Sequence, residues 1–243
     1  MKKEKLFLNS ASLSDIELYY TQPHNIKGSK IVIEGDEFNH LVQVMRHNKN
    51  DEIYITDGKG GIYKSIIREI LKTSVYCEIK EDLHFENRFS NMFFCIPRLK
   101  SVERMEIALE KSVEIGITNF IIYNAKNAVA KGIKLERWQK ILISAMKQSL
   151  RSFLPQIRIC NSIEEIKNLK GELILLEQNS KNIFSNFIMN NTKDYYFIFG
   201  PEGGLNREEL DLADLENIYS LGTNRLRTET AVISVASILT CNK

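Results

Sequence analysis

Two glycine-bearing segments near the C-terminus hold the residues best suited to chemistry. Gly200-Pro201-Glu202-Gly203-Gly204 follows the apolar run 195–199 and precedes Leu205-Asn206. Glycines where a buried strand turns into a helix let backbone amides and carbonyls approach a ligand at the carboxyl end of a sheet. The segment is not a G-x-G-x-x-G fingerprint, and no Gly-Lys-Ser/Thr follows it to make a P-loop. Further on, Leu221-Gly222-Thr223-Asn224-Arg225-Leu226-Arg227-Thr228-Glu229-Thr230-Ala231 crowds arginines, a carboxylate and threonines at the entry of an apolar helix. A capped helix start with a structural arginine–glutamate pair would have the same composition. A second glycine loop so close to the first favours a shared ligand site.

A third candidate is a basic stripe. In a helix over 136–153, Arg137, Lys140, Ser144, Lys147 and Arg151 fall on one face, while Trp138, Leu142, Ala145 and Ser149 line another. Such a stripe is commonly a solvated face, but exposed helices usually mix signs. Residues 126–158 contain 8 Lys/Arg against one acid, Glu136, so the stripe has little local countercharge. A phosphate backbone would supply the missing anions. The net charge of the whole chain is only +2, so the asymmetry is local.

The elements that must position these residues follow from apolar patterning. Residues 5–8, 31–33, 53–56, 62–67 and 75–79 are rich in β-branched and aromatic types and predict short strands. One helix interrupts them, with Phe38, Leu41, Val42 and Met45 on its buried face. Asp57-Gly58-Lys59-Gly60-Gly61 supplies a tight reversal, and the set suggests a small barrel. The polar stretch 81–90 reads as a linker. From Met92 onward strand and helix alternate: strands at 92–96, 119–123, 173–176, 195–199 and 218–221, and helices after Ser101, over 136–153, after Asn206 and from Thr228. That alternation predicts a mostly parallel sheet covered by helices.

Composition sets the remaining bounds. With 43% hydrophobic and 26% charged residues the chain is an ordinary globular one. No apolar run is long enough for a signal sequence or a membrane helix, so a cytoplasmic protein with no membrane partner is expected. The four cysteines have no C-x-x-C spacing and are expected as reduced, buried thiols. The four histidines have no metal-ligand spacing, and no bound metal is expected.

Taken in order along nearly the whole chain, several segments resemble the RsmE family of bacterial ribosomal RNA methyltransferases. They are His40-Leu41-Val42-Gln43-Val44-Met45-Arg46, Asp57-Gly58-Lys59-Gly60, Glu110-Lys111-Ser112-Val113-Glu114-Ile115-Gly116, Glu136-Arg137-Trp138-Gln139-Lys140-Ile141 with Gln148-Ser149-Leu150-Arg151, and the two C-terminal glycine segments. The chain departs from the family at Met45, usually leucine, at Asn224-Arg225, usually Arg-Ile, and at Lys147, where an acid is common.

The resemblance implies an α/β fold: an N-terminal PUA-like β-barrel over residues 1–82, and over 83–243 a SPOUT α/β domain with a deep trefoil knot. It implies S-adenosyl-L-methionine as cofactor and methylation of N3 of one uridine in small-subunit (16S) ribosomal RNA, by a homodimer. Leu176, Gly200, Gly203, Leu221, Gly222, Leu226 and Thr228 would then hold the cofactor. Arg227 and Arg151 would stabilise the uracil anion, and Glu202 or Glu229 would take its proton. Arg46, Arg137, Lys140 and Lys147 would grip RNA phosphates. Two alternatives stay open. One is a related enzyme acting on ribose 2′-hydroxyls, although such enzymes usually end in a Ser-Leu-Asn motif that is absent here. The other is an RNA-binding module without catalysis.

Overall fold

The structure is a computed structural model that describes residues 16–127, 132–190 and 192–241. The chain falls into two compact units. The first runs to Asn87 and includes Met146–Leu154; the second comprises Arg88–Ala145 and the chain from Pro155.

In the first unit, β1 (Leu18–Tyr20), β2 (Ile26–Lys27), β3 (Lys30–Glu34), β4 (Glu52–Thr56), β5 (Gly61–Ile70) and β6 (Ser74–His84) form one sheet in the order β1-β4-β5-β6-β3-β2. The β1–β4 pair is parallel and the other pairings are antiparallel. Alternation places Ile31, Ile33, Ile53, Ile55, Ile67 and Val75 in the core, each side chain contributing roughly 1.5–3 kcal/mol on burial. The expected strand at 5–8 lies outside the described residues. β6 runs on to His84, past the start of the expected linker, because its pairing with β5 continues through Leu83 and His84.

The predicted helix is α1 (Gly35–Asn39), which widens into a π-turn over His40–Val44. Phe38 and Leu41 are buried and Val42 is half-buried, but Met45 is exposed. The wider turn rotates the last positions off the expected face. Arg46 then takes a left-handed φ of 58°.

The reversal at Asp57 is held from several sides. Asp57 Oδ1 accepts from Lys59 N at 2.7 Å and Gly61 N at 3.0 Å, and Thr56 Oγ1 donates to Gly61 O at 2.8 Å. This loop receives the segment that follows the long helix: Gly60 N donates to Ser152 O at 2.9 Å and Leu154 N to Gly58 O at 2.9 Å. A Cβ on Gly60 would lie 2.8 Å from the Phe153 ring, so the close approach needs glycine.

In the second unit every strand pairing is parallel. β7 (Met92–Pro97), β8 (Asn119–Tyr123), β9 (Gln156–Cys160), β10 (Glu172–Leu176), β11 (Asn182–Ile183), β12 (Tyr195–Phe199) and β13 (Ile218–Ser220) take the order β11-β13-β10-β12-β7-β8-β9. The helices are α2 (Val102–Ile115), α3 (Leu135–Gln148), α4 (Ile163–Lys167), α5 (Arg207–Leu210) and α6 (Thr228–Cys241). Ser101 caps α2 by accepting from Arg104 N at 3.3 Å, and Gly116 ends it. Asn206 and Glu209 form the expected capping box. Strand β9 and helix α4 are additions to the elements read from the sequence.

Helix α3 buries Trp138, Leu142 and Ala145 as expected but stops at Gln148. Leu150 adopts φ 55°, and Arg151 N donates to Met146 O at 2.9 Å, which closes the helix as a Schellman turn without glycine. Arg151 therefore leaves the helical face on which the sequence pattern placed it. Cys77, Cys95 and Cys160 are buried free thiols; burial pushes Cys77 up to about 12 and raises the other two.

Thr56 is fully buried, and its hydroxyl also accepts from Gly58 N at 3.1 Å. Thr56→Val keeps the shape but leaves the Gly58 amide and Gly61 carbonyl without that partner. We expect a stability loss of about 1–3 kcal/mol by urea unfolding. An unchanged unfolding midpoint would contradict this role for the loop.

Candidate functional site

The ends of β10, β12 and β13 coincide. Leu176 is in register with Phe199 on one side and with Tyr219 on the other. Three connections therefore leave the sheet together at its carboxyl edge: residues 177–178, 200–205 and 221–227. With Arg104 from α2 and Ala231 from α6 they enclose a cavity of about 600 Å³. Ligand clefts typically measure about 300–1,000 Å³, and in open parallel sheets they lie at this edge.

Hydrogen bonds fix the loops to one another. Tyr123, fully buried, donates to Phe199 O at 2.6 Å where β12 ends. Burial, followed by the charge of Glu209, pushes its phenol well above the ordinary range, so it stays a neutral donor. Thr228 Oγ1 donates to Gly200 O at 2.8 Å, and Arg225 Nη2 donates to Glu202 O at 2.7 Å. These two bonds tie the second glycine loop to the first. Ser220 Oγ donates to Gly222 O at 3.0 Å, and Gly222 has φ 149°. A Cβ on Gly222 would have no atom within 4 Å, so the loop leaves room beside its backbone.

Leu176, Gly200, Gly203, Leu221, Gly222, Leu226 and Thr228 all line this cavity, and so do Glu202 and Arg227. Arg151 does not line it and belongs to the first unit. Arg104, Glu177 and Gln178 line it as well, although no motif singled them out. The signal for Glu177 and Gln178 was present, since they directly follow a predicted buried strand. Arg104 sits in the first turn of α2 and becomes a wall residue only through the fold.

The charges in the cavity are unevenly paired. Arg104 lies between two carboxylates, its Nη1 3.9 Å from Glu202 Oε1 and its Nε 3.6 Å from Glu229 Oε1. Arg227 is exposed and has no side-chain partner among the described residues. A guanidinium facing a cavity without a countercharge can receive an anion or a polarised oxygen. Among the described residues no group of three or more His, Cys, Asp and Glu could hold a metal.

The basic stripe is not as short of countercharge as the sequence suggested. Arg137 Nη2 donates to Glu106 Oε2 at 2.8 Å, and Glu106 raises the guanidinium's pKa. Lys147 Nζ lies 2.6 Å from Glu37 Oε1. Both acids come from elements far away in the chain, which local composition cannot reveal. Lys140 is exposed. Arg46, Lys147 and Arg151 belong to the first unit, and Arg137 and Lys140 to the second. Arg151 is half-buried, and burial lowers its pKa. No helix among the described residues is long and apolar enough to cross a membrane.

Comparison with known proteins accounts for both units. Residues 87–240 match the model of the RNA methyltransferase domain, and residues 33–80 match that of the RNA methyltransferase PUA domain. Ribosomal RNA small subunit methyltransferase E of Mesomycoplasma hyopneumoniae is 30% identical over 80% of this chain and 87% of its own. That of Bacillus subtilis is 28% identical over 85% and 88%. The crystal structure of ribosomal RNA small subunit methyltransferase E from Neisseria gonorrhoeae bound to S-adenosyl methionine has a TM-score of 0.81 and 27% identity, covering 93% of this chain and 98% of that one. A PUA domain is thus followed by an RNA methyltransferase domain, and the chain belongs to the RNA methyltransferase family that includes the ribosomal RNA small subunit methyltransferases E.

Proposed function

We propose that this protein transfers a methyl group from S-adenosyl-L-methionine to N3 of one uridine in small-subunit (16S) ribosomal RNA. The observation that supports this most is the cavity itself. It joins both glycine loops to Arg227, which has no side-chain partner among the described residues, in a chain whose relatives carry the small-subunit enzyme's name. The cavity suits the cofactor: residues 200–204, 221–222 and 224–227 line it, and the space beside Gly222 is open. On this reading Leu176, Gly200, Gly203, Leu221, Gly222, Leu226 and Thr228 hold the adenosyl part.

When bound, the cofactor supplies an electrophilic methyl on a sulfonium. The chain's residues must do the rest. N3 lies on the Watson–Crick edge of uracil, so the target has to be unpaired or extruded. N3 holds its proton at neutral pH and is then a poor nucleophile. Glu202 is the proposed acceptor of that proton, held near Arg104 and not fully buried. Arg227 is the proposed stabiliser of the negative charge that spreads onto the uracil oxygens. Arg151, on the Schellman turn after α3, is proposed to assist from the substrate side. Arg46, Arg137, Lys140 and Lys147 are proposed to hold phosphates; for Arg137 and Lys147 this means exchanging a carboxylate for a phosphate.

The same reading includes a trefoil knot, a homodimer and a cytoplasmic location. In support of the knot, β13 lies on one side of β10, whereas α6 packs against α2 and β12 on the other, so 221–227 must cross the strand ends. In support of the dimer, α6 buries Val232, Val235, Ala236 and Leu239 yet keeps Ile233 and Ile238 half-exposed on the two flanks of that stripe.

Three measurements test the proposal. Leu226 is 40% exposed, so Leu226→Asp should fold normally yet weaken cofactor binding about tenfold or more in calorimetry, since a carboxylate replaces apolar contact. Unchanged affinity would place the cofactor elsewhere. Arg227→Gln should lower turnover by about 10²–10³-fold at saturating substrates, with little change in cofactor affinity; full turnover would remove Arg227 from the chemistry. Lys140→Ala should lower the salt slope of RNA binding by about 0.7–0.9. An unaltered slope would make the stripe an ordinary solvated face.

A further inference from the structure

Two carboxylates line the cavity, Glu177 and Glu202, and among the described residues only Glu202 has a cation beside it. Glu202 and Glu229 flank Arg104 at 3.9 and 3.6 Å. Glu177 differs: no lysine or arginine lies within 4.0 Å of it among the described residues. Its Oε1 accepts only long bonds from its neighbour Asn179, 3.3 Å from the amide N and 3.5 Å from Nδ2. Its second oxygen has no hydrogen bond among the described residues.

The position of Glu177 is fixed, although its carboxylate has no cation. It is the first residue after β10, the strand between β12 and β13. Its own N–H donates to Tyr219 O at 2.9 Å, which extends the β10–β13 pairing by one step. Its Cβ direction is therefore set by the sheet, and the side chain lies on the cavity wall between the two glycine loops. The neighbouring residues, Leu176, Gly200 and Leu221, are apolar or lack side chains.

We infer that the Glu177 carboxylate binds the ribose hydroxyls of the nucleoside that occupies this cavity. The inference rests on the placement of S-adenosyl-L-methionine proposed above. A vicinal diol presents two donors side by side, and an ionised carboxylate presents two acceptors at a matching spacing. A carboxylate with no cation of its own is the better acceptor, because its lone pairs are not committed. Acids that follow a parallel strand read ribose hydroxyls in the same way in dinucleotide-binding sheets. Glu177 would thus select a ribonucleoside cofactor over a deoxynucleoside or a 2′-phosphorylated one. The group's other positively polarised donor, the methionine ammonium, is the competing ligand for this carboxylate.

Calorimetry on the full chain with three probes separates these cases: S-adenosylhomocysteine, its 2′-deoxy analogue, and 5′-methylthioadenosine, which has ribose but no ammonium. The wild type should bind S-adenosylhomocysteine about 10- to 100-fold more tightly than the deoxy analogue, the usual range for a hydrogen bond to a charged group. In Glu177→Ala the two should bind within about threefold of each other, and 5′-methylthioadenosine should weaken as much as S-adenosylhomocysteine does. An equal penalty for the missing hydroxyl in both proteins would overturn the inference. So would a loss confined to S-adenosylhomocysteine, which would assign Glu177 to the ammonium. If the wild type bound none of the probes, or Leu226→Asp bound them all unchanged, the cofactor placement itself would fall. Glu177→Ala removes only the long bonds to Asn179, so an unaltered melting temperature is expected and serves as the folding control.

Discussion

Three parallel strands that end level with one another set the geometry of everything functional in this chain. Leu176, Phe199 and Tyr219 stand in one row across β10, β12 and β13. Because each strand is hydrogen-bonded to the next, none of the three ends can shift alone. The loops that follow must then share one small volume above the sheet. Parallel strands require long crossovers, so each loop also arrives with a helix behind it: α5 after the first glycine loop and α6 after the second. The cavity is what remains after those crossovers are packed. Its rim is held by side chain to backbone bonds, Thr228 to Gly200 and Arg225 to Glu202. Glycine rims and side-chain straps belong together, since backbone that must face a ligand cannot also carry bulky packing groups.

Much of this was legible in the sequence, for definite reasons. Fully buried parallel strands read as unbroken apolar runs, and Tyr195–Phe199 and Asn119–Tyr123 were visible on that basis. β9 was not visible because it lies at the sheet edge, where Gln156 and Arg158 are exposed and Ile157 is only half-buried. The end of α3 was not visible either. Helices that close on a left-handed residue usually show glycine or asparagine there, and this one uses Leu150. One expected buried-face residue, Met45, behaved differently for a related reason. The π-turn at His40–Val44 keeps Leu41 in the core but turns Met45 outward, and nothing in the residue types announces a wider turn.

The site itself was legible in its loops and not in its charges. Spacing along the chain pointed to Gly200 and Gly222, because two glycine loops that each follow a strand can bring backbone to one shared ligand. Pairing of charges is a property of the folded chain. Glu106 and Glu37 reach Arg137 and Lys147 from distant elements, and Arg104 meets Glu202 and Glu229 only once α2 packs beside α6. Among the described residues Arg227 and Glu177 line the cavity with neither an opposite charge nor a strap to the other loop, and a ligand gains most through them. An unpaired ion that already faces solvent loses little on meeting a partner, whereas a paired one must first give up its own.

Nucleoside mass spectrometry tests the central claim most directly. Small-subunit ribosomal RNA from cells lacking this gene would be incubated with the protein and S-adenosyl-L-methionine, digested and mapped. The expected product is one added methyl on N3 of a single uridine. A methyl on a ribose hydroxyl, or no methylated nucleoside at all, would contradict the proposed chemistry of this cavity.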